Sequence, residues 1–258
     1  MRNTSLLIGF FVLFSLSFSP APEQKLVHVF VALCDNDSQG IVPVPKKIGN
    51  GNDPDNNLYW GCGYGVRTFF KGAAEWKLLK TLKNPKEHIL ERLVFKHKTS
   101  GAILVADAYR GSKIKACTID FFKNASGVFA DTLTVAGKAI ELNNAQLICY
   151  VGHDGLMDFN LEGNYPKKLR DVPNNRQVMI YACISKSYFE TGLQYSGAYP
   201  LIRTTGLMCP EAYTIKAAVD GWILGETGAQ IKERCAVAYD HYLKCGMKGA
   251  RGLFITGW

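Results

Sequence analysis

The sequence of 258 residues lacks the short motifs that identify most metal and cofactor sites. Its eight cysteines include no C-x-x-C pair, so their spacing does not predict a structural zinc site. Gly61, Gly63 and Gly65 are not followed by Lys-Ser or Lys-Thr, which a phosphate-binding loop requires. Asp154 and Asp158 have no histidine cluster beside them. With no nucleotide, flavin or haem motif present either, we expect no metal and no other cofactor.

A concentrated patch of positive charge is also lacking, although the formal net charge is +8. The basic residues lie in short scattered groups, such as those within 77–83 and 167–170. No basic stripe interleaved with aromatic residues is present, which argues against a nucleic-acid partner. The composition, 47% hydrophobic and 20% charged, is that of a globular protein, and we expect residues 23–258 to form one domain.

A long hydrophobic run is missing as well. The apolar stretch at residues 6–18 is shorter than the roughly 20 residues that a membrane-spanning helix needs. Arg2 precedes it, and small residues and prolines follow it at 19–22. This pattern predicts a secretory signal peptide at residues 1–22 and a secreted or periplasmic protein without a membrane span after its removal. An uncleaved anchor remains the alternative.

The cysteine contexts favour free thiols over a disulfide framework. Cys34, Cys149 and Cys183 lie in or at the ends of apolar runs, where cysteine usually behaves as a small buried hydrophobic residue. One or two disulfides, involving Cys235 and Cys245, stay open, because an exported chain would meet an oxidising environment.

Apolar runs rich in β-branched residues alternate with helical patterns along the chain. This alternation predicts an α/β domain with a mostly parallel sheet, helices on both faces and small β-hairpin additions. The predicted strands are 26–33, 145–152, 177–182 and 200–205, hairpins flank Gly101 and Gly137, and the predicted helices are 58–82, 112–123, 212–224, 230–245 and one from about residue 185.

Two neighbouring predicted strands end at the residue types that thiol catalysis needs. The run at 145–152 stops at His153, and the run at 177–182 stops at Cys183. In parallel sheets the chemistry lies beyond the carboxyl ends of the strands. Cys183 is therefore a candidate nucleophile at the start of a helix, and His153 is the candidate proton carrier. Gly155 lets the backbone approach a substrate carbonyl, where an N–H group stabilises an oxyanion.

The segments LICYVGHDG and VMIYACIS resemble the two signature blocks of caspase-like peptidases, the group of caspases, legumains, gingipains, clostripain and separase. The order of predicted elements is similar over nearly the whole mature chain. The resemblance implies a caspase-like three-layer sandwich and a cysteine endopeptidase with a Cys183–His153 dyad. It also implies oxyanion donors at Asp154 or Gly155, and a peptide or protein substrate.

Two alternatives to this interpretation remain. The family usually has glycine directly after the histidine, whereas this chain has Asp154, so a non-catalytic caspase-homologous binding or scaffold module is the first alternative. The second is a papain-like protease with Cys62 as nucleophile, because Trp60-Gly61-Cys62 before a predicted helix is similar to the nucleophile segment of some papain-like enzymes.

Substrate preference depends on which side chains line the specificity pocket. Tyr181 stands two positions before Cys183, where the family often has a polar pocket residue. Asp35 and Asp37 follow the first strand and predict a modest preference for Arg or Lys on the amino side of the cleaved bond. Arg203, near the end of a later strand, would instead favour an acidic or amide residue.

Overall fold

The computed structural model describes residues 24–135, 137–170 and 174–258. The predicted signal peptide lies outside these residues, so it stays a prediction. Within the described ranges, no helix has both the length and the apolar character needed to cross a membrane.

The described elements follow the predicted α/β alternation. The strands are β1 (Leu26–Ala32), β2 (Trp76–Lys86), β3 (Ile89–His97), β4 (Ile103–Tyr109), β5 (Thr132–Val135), β6 (Lys138–Glu141), β7 (Leu147–Val151), β8 (Gln177–Tyr181), β9 (Tyr199–Thr204) and β10 (Phe254–Ile255). The helices are α1 (Val66–Gly72), α2 (Ile114–Ala125), α3 (Ser185–Tyr188), α4 (Glu190–Ser196), α5 (Ala212–Ile223), α6 (Gly228–Leu243) and α7 (Met247–Leu253).

One sheet organises the molecule. Its eight strands lie in the order β10-β9-β8-β7-β1-β4-β3-β2, while β5 and β6 form a separate hairpin. The five central strands, from β9 to β4, run parallel. At the two edges the pairings are antiparallel: β10 with β9, β3 with β4, and β2 with β3. The carboxyl ends of β1, β7, β8 and β9 therefore meet at one edge of the sheet, as the sequence predicted.

Both faces of the sheet are covered by helices. Because successive side chains of a strand point to opposite faces, β1 contributes to two hydrophobic clusters. Val27 and Val29 pack in the cluster that contains buried residues of α1, α5 and α6. Phe30 and Ala32 pack in the other cluster, with residues of α2 and α4. The protein is thus an α/β sandwich with a mostly parallel central sheet.

The predicted helix at 58–82 is wrong over most of its length. Only α1 is helical, and the second half of the segment is the edge strand β2. Its side chains alternate between exposed and partly buried positions, and its backbone pairs with β3. Apolar residues such as Phe70 and Trp76 also fit helical spacing, so the local pattern was ambiguous and pairing with β3 decided it. Lysines on this edge discourage further strand addition.

The two hairpins are confirmed as β3–β4 and β5–β6. The helix expected from Ser112 begins instead after a 3-10 turn, Gly111–Lys113, with no capping bond from the Ser112 side chain. All eight cysteines are free, so Cys235 and Cys245 are not paired.

A buried ionic cluster crosses the sheet between β1, β3 and β4. Asp107 accepts hydrogen bonds from Arg92 Nε and Nη2 at 2.5 and 2.6 Å. His28 Nε2 lies 3.0 Å from the same carboxylate. Burial alone would raise the pKa of Asp107, but Arg92 and His28 together hold it below its usual range. These charges lie within the core, and their partners satisfy them there.

Candidate active site

A cavity of about 420 Å³ opens at the carboxyl edge of the parallel strands. His153, two residues after β7, and Cys183, two residues after β8, both line it. The loop after β1 and residues 207–211 after β9 form the remaining walls. The structure therefore brings the two predicted catalytic side chains to one cavity. A larger groove of about 670 Å³ on α5 and α6 contains no residue from this edge.

His153 is held by a carboxylate that the sequence analysis did not assign to it. Its Nε2 atom lies 2.7 Å from Asp158 Oδ2, and that oxygen also accepts the Gly40 N–H at 2.9 Å. Since an ionised carboxylate only accepts hydrogen bonds, Nε2 carries the proton in this contact. In the neutral ring Nδ1 is then the unprotonated nitrogen, the one able to accept a proton.

The loop that carries His153 is shaped by a close backbone approach and a short turn. Gly152 has φ +137°, and a Cβ there would lie 2.6 Å from the Ala32 carbonyl oxygen, so only glycine fits. The Tyr150 hydroxyl donates to the His153 carbonyl oxygen at 2.9 Å. Asp154 Oδ1 accepts the Leu156 N–H at 3.0 Å and caps a 3-10 turn, Gly155–Met157. This turn returns the chain so that the residue after it, Asp158, contacts His153.

Asp154 is fully buried, and its second oxygen has no hydrogen-bond partner among the described residues. Burial raises the pKa of its carboxyl to about 7, and Asp158 adds to the effect, although the Leu156 N–H opposes it. Asp154, at the position where the resemblance implies glycine, therefore stabilises the 3-10 turn that follows it. Neither Asp154 nor Gly155 lines the cavity, and both are buried, so their placement gives no support to the predicted oxyanion role.

Cys183 lies on a tight turn between β8 and α3. The next residue, Ile184, has φ +49°, a left-handed conformation that is strained for a β-branched side chain. Thr204 holds this turn from β9, because its hydroxyl donates to the Ala182 carbonyl oxygen and accepts the Ser185 N–H at 3.1 Å. The Ser185 hydroxyl in turn accepts the Thr204 N–H at 2.9 Å. Both side chains are fully buried, so the turn is held in place by hydrogen bonds within the protein interior.

The Cys183 sulfur contacts the backbone of the loop after β9. The Met208 N–H donates to Sγ at 3.4 Å, and the Met208 carbonyl oxygen lies 3.6 Å from Sγ. Met208 can therefore accept a hydrogen bond from the thiol through its carbonyl oxygen and donate one to the thiolate through its N–H. The helix after Cys183 is only four residues long and is followed by a separate helix, so the expected help from a helix dipole is small.

The cavity that contains His153 and Cys183 is not lined by the four residues predicted to form the specificity pocket. Asp35 is buried, and its oxygens accept the Asp37 N–H and the Ser38 hydroxyl at 3.1 and 2.6 Å. Asp37 is exposed on the same loop, outside the cavity lining. Tyr181 is fully buried, with its hydroxyl 3.8 Å from the sulfur of Cys235.

Arg203 is also buried, and it donates hydrogen bonds to backbone carbonyl oxygens. Its Nη2 donates to the Gly257 carbonyl oxygen at 2.7 Å and its Nη1 to the Lys186 carbonyl oxygen at 3.3 Å. It does not line the cavity. The acid at the cavity is Glu211, which the sequence analysis missed and for which the sequence offered no distinctive signal.

Cys62, the rival nucleophile, lies apart from His153. Its thiol donates to the Asn56 carbonyl oxygen at 3.0 Å, and it does not line the cavity that contains His153. Burial raises the pKa of the Cys62 thiol, and Glu211 adds to the increase. A helix of seven residues follows it. These features do not support a papain-like site at Cys62.

Comparison with protein-family models, with curated proteins and with solved structures gave no match in any of the three. Among the described residues, no group of three or more His, Cys, Asp or Glu side chains is arranged to hold a metal ion. What the fold and the site define is an α/β sandwich with a thiol and a carboxylate-paired imidazole in one cavity at the carboxyl edge of its sheet.

Proposed function

We propose that this protein is a cysteine endopeptidase of caspase-like fold, with Cys183 as nucleophile and His153 as general acid and base. The observation that carries the proposal is that His153 and Cys183 follow adjacent parallel strands and line the same cavity. A peptide or protein is the substrate. The leader-like segment at 1–22 supports a secreted or periplasmic location as part of the same proposal.

In the proposed reaction, His153 Nδ1 carries the proton between the Cys183 thiol, the leaving amine and water. His153 Nδ1 takes the proton of the Cys183 thiol, and the thiolate attacks the carbonyl carbon of the peptide bond. The tetrahedral intermediate collapses when the imidazolium gives that proton to the leaving amine, and a thioester on Cys183 remains. Water then attacks the thioester with Nδ1 as its base, which releases the acid and restores the thiol. Asp158 positions the ring throughout by its contact with Nε2.

For the oxyanion, we assign the backbone N–H of Cys183. It belongs to the nucleophile itself, on a turn that the Thr204 and Ser185 hydroxyls hold rigid. A rigid donor near the developing negative charge stabilises the transition state without reorganisation. This assignment replaces the donors implied at Asp154 and Gly155, which are buried outside the cavity.

An experiment with a thiol-reactive peptide probe separates the enzyme from the binding-module alternative. We expect labelling and peptide cleavage in the wild type, and loss of both in Cys183→Ala. Cys245→Ser is the matched control, because Cys245 is an exposed thiol outside the cavity. It should retain labelling and cleavage. His153→Ala should lose cleavage while keeping the far-UV circular dichroism of the wild type.

The remaining outcomes identify the alternatives. A folded wild type that neither reacts with the probe nor cleaves any member of a broad peptide library would favour the non-catalytic module. Loss of cleavage in Cys62→Ala together with full activity in Cys183→Ala would favour the papain-like arrangement.

A further inference from the structure

The cavity beside Cys183 is mainly apolar, which differs from the charged pocket expected from the sequence. The loop after β1 contributes Ile41, Val42 and Leu58, and the loop after β9 contributes Leu207, Met208 and Pro210. Its volume of about 420 Å³ lies within the range of roughly 300–1,000 Å³ that is typical of pockets that enclose a small ligand. A large side chain can therefore enter it.

Exposed apolar side chains surround this cavity. Val42 is 87% exposed and Leu207 is 74% exposed, and these two residues come from loops after different strands. Met157, on the His153 loop, is 40% exposed. A single exposed leucine is ordinary. Three exposed apolar side chains around one cavity, which also contains a thiol and an imidazole, indicate a binding site for an apolar ligand.

The charges at the cavity do not complement an acidic ligand. Among the described residues that line the cavity, the one acidic side chain is Glu211, and one of its oxygens accepts the Tyr213 hydroxyl at 2.8 Å. No arginine or lysine of the described ranges lines the cavity. Transfer of a substrate carboxylate from water into this cavity is unfavourable, because the carboxylate would lose its hydration and gain no cationic partner.

We propose that the cavity selects substrates with a large apolar side chain, Leu, Met or Phe, on the amino side of the cleaved bond. This inference rests on the proposed function. The residue on that side supplies the carbonyl carbon that bonds to Cys183, so its side chain branches at Cα, one bond from the reacting carbon, and lies close to the sulfur. Val42 and Leu207 lose solvent contact when this side chain enters, and burial of apolar surface drives recognition.

The test uses a matched series of peptides that differ only in the residue on the amino side of the bond. We expect kcat/KM to be at least about tenfold higher for Leu, Met and Phe than for Ala, Asp or Arg, because each added methylene in an apolar pocket is worth about tenfold or more. Leu207→Ser should lower kcat/KM severalfold more for the Leu peptide than for the Ala peptide. Leu224→Ser is the matched control, because Leu224 is 68% exposed outside the cavity.

The outcomes distinguish this inference from the function on which it rests. Cleavage that requires Cys183 but is fastest after Arg or Lys, and that weakens in Glu211→Gln, would overturn the apolar preference and leave the endopeptidase in place. Fastest cleavage after Asp or Asn would overturn it in the same way, as would equal effects of Leu207→Ser and Leu224→Ser. Absence of any Cys183-dependent cleavage would overturn both.

Discussion

The Nε2 atom of His153 lies 2.7 Å from Oδ2 of Asp158, five residues further along the chain. The 3-10 turn between them makes this contact possible, and the Gly40 N–H anchors the carboxylate from the loop after β1. One carboxylate thus orients the imidazole and ties together two of the loops that form the cavity.

Asp158→Ala should lower kcat by about 10²-fold, because a misplaced catalytic group typically costs that much. KM should change less, since Asp158 does not itself line the Cys183 cavity. Steady-state kinetics across a pH series would measure both values and any shift in the pH profile. Asp37→Ala is the control, because Asp37 is an exposed acid outside the cavity. Equal kinetics for the two variants would remove Asp158 from the mechanism.

Thr204→Val should lower both stability and turnover. Its hydroxyl donates to the Ala182 carbonyl oxygen and accepts the Ser185 N–H, and the valine variant loses both hydrogen bonds. A buried polar group left without a partner costs about 1–3 kcal/mol of stability. Displacement of the turn also moves Cys183, so kcat should fall more than KM rises. Thr204→Ser keeps the hydroxyl and should restore turnover. Denaturant unfolding and kinetics measure the two effects, and a serine variant as slow as the valine variant would contradict this role.

The Asp154 carboxyl predicts a pH dependence of stability in the neutral range. Burial raises its folded pKa to about 7, whereas the unfolded value is near 4. Between these pH values the folded protein keeps a proton that the unfolded chain has released. The free energy of unfolding therefore falls as pH rises through this range, by about 4 kcal/mol in total for this group. Its contribution is complete below about pH 4.

Asp154→Asn removes this titration and keeps the acceptor for the Leu156 N–H. Urea unfolding at pH 5 and pH 8 should show a larger loss of stability on raising the pH in the wild type than in the variant. Asp37→Asn, at an exposed position, should behave as the wild type. Parallel changes in wild type and Asp154→Asn would show that the carboxyl does not titrate in this range.

Asp107→Ala should destabilise the protein by about 3–5 kcal/mol, because it leaves Arg92 buried without the carboxylate that binds two of its nitrogens. Asp55→Ala is a useful contrast. Asp55 is exposed and pairs with Arg67, so its removal should cost about 0–1 kcal/mol. Denaturant unfolding compares the two, and similar losses would mean that the buried cluster is not a main determinant of stability.

Much of the fold was predictable because parallel strands carry a strong local signal. The runs that became β1, β7 and β8 are continuous and rich in apolar residues, since both faces of a central strand are buried. The edge strand β2 was not predictable in this way. Half of its side chains face solvent, so its pattern fits a helix as well as a strand, and only its pairing with β3 distinguishes the two.

The sequence by itself determined that His153 and Cys183 follow neighbouring strands, because strand ends and residue types are local properties. Only the tertiary structure decided their surroundings. Asp158 contacts His153 because a turn separates them, and Thr204, on another strand, hydrogen-bonds to the turn that carries Cys183. Asp35 accepts a hydrogen bond from within its own loop. These contacts depend on how loops from separate strands converge at one edge of the sheet. The spacing of residues along the chain does not encode that convergence.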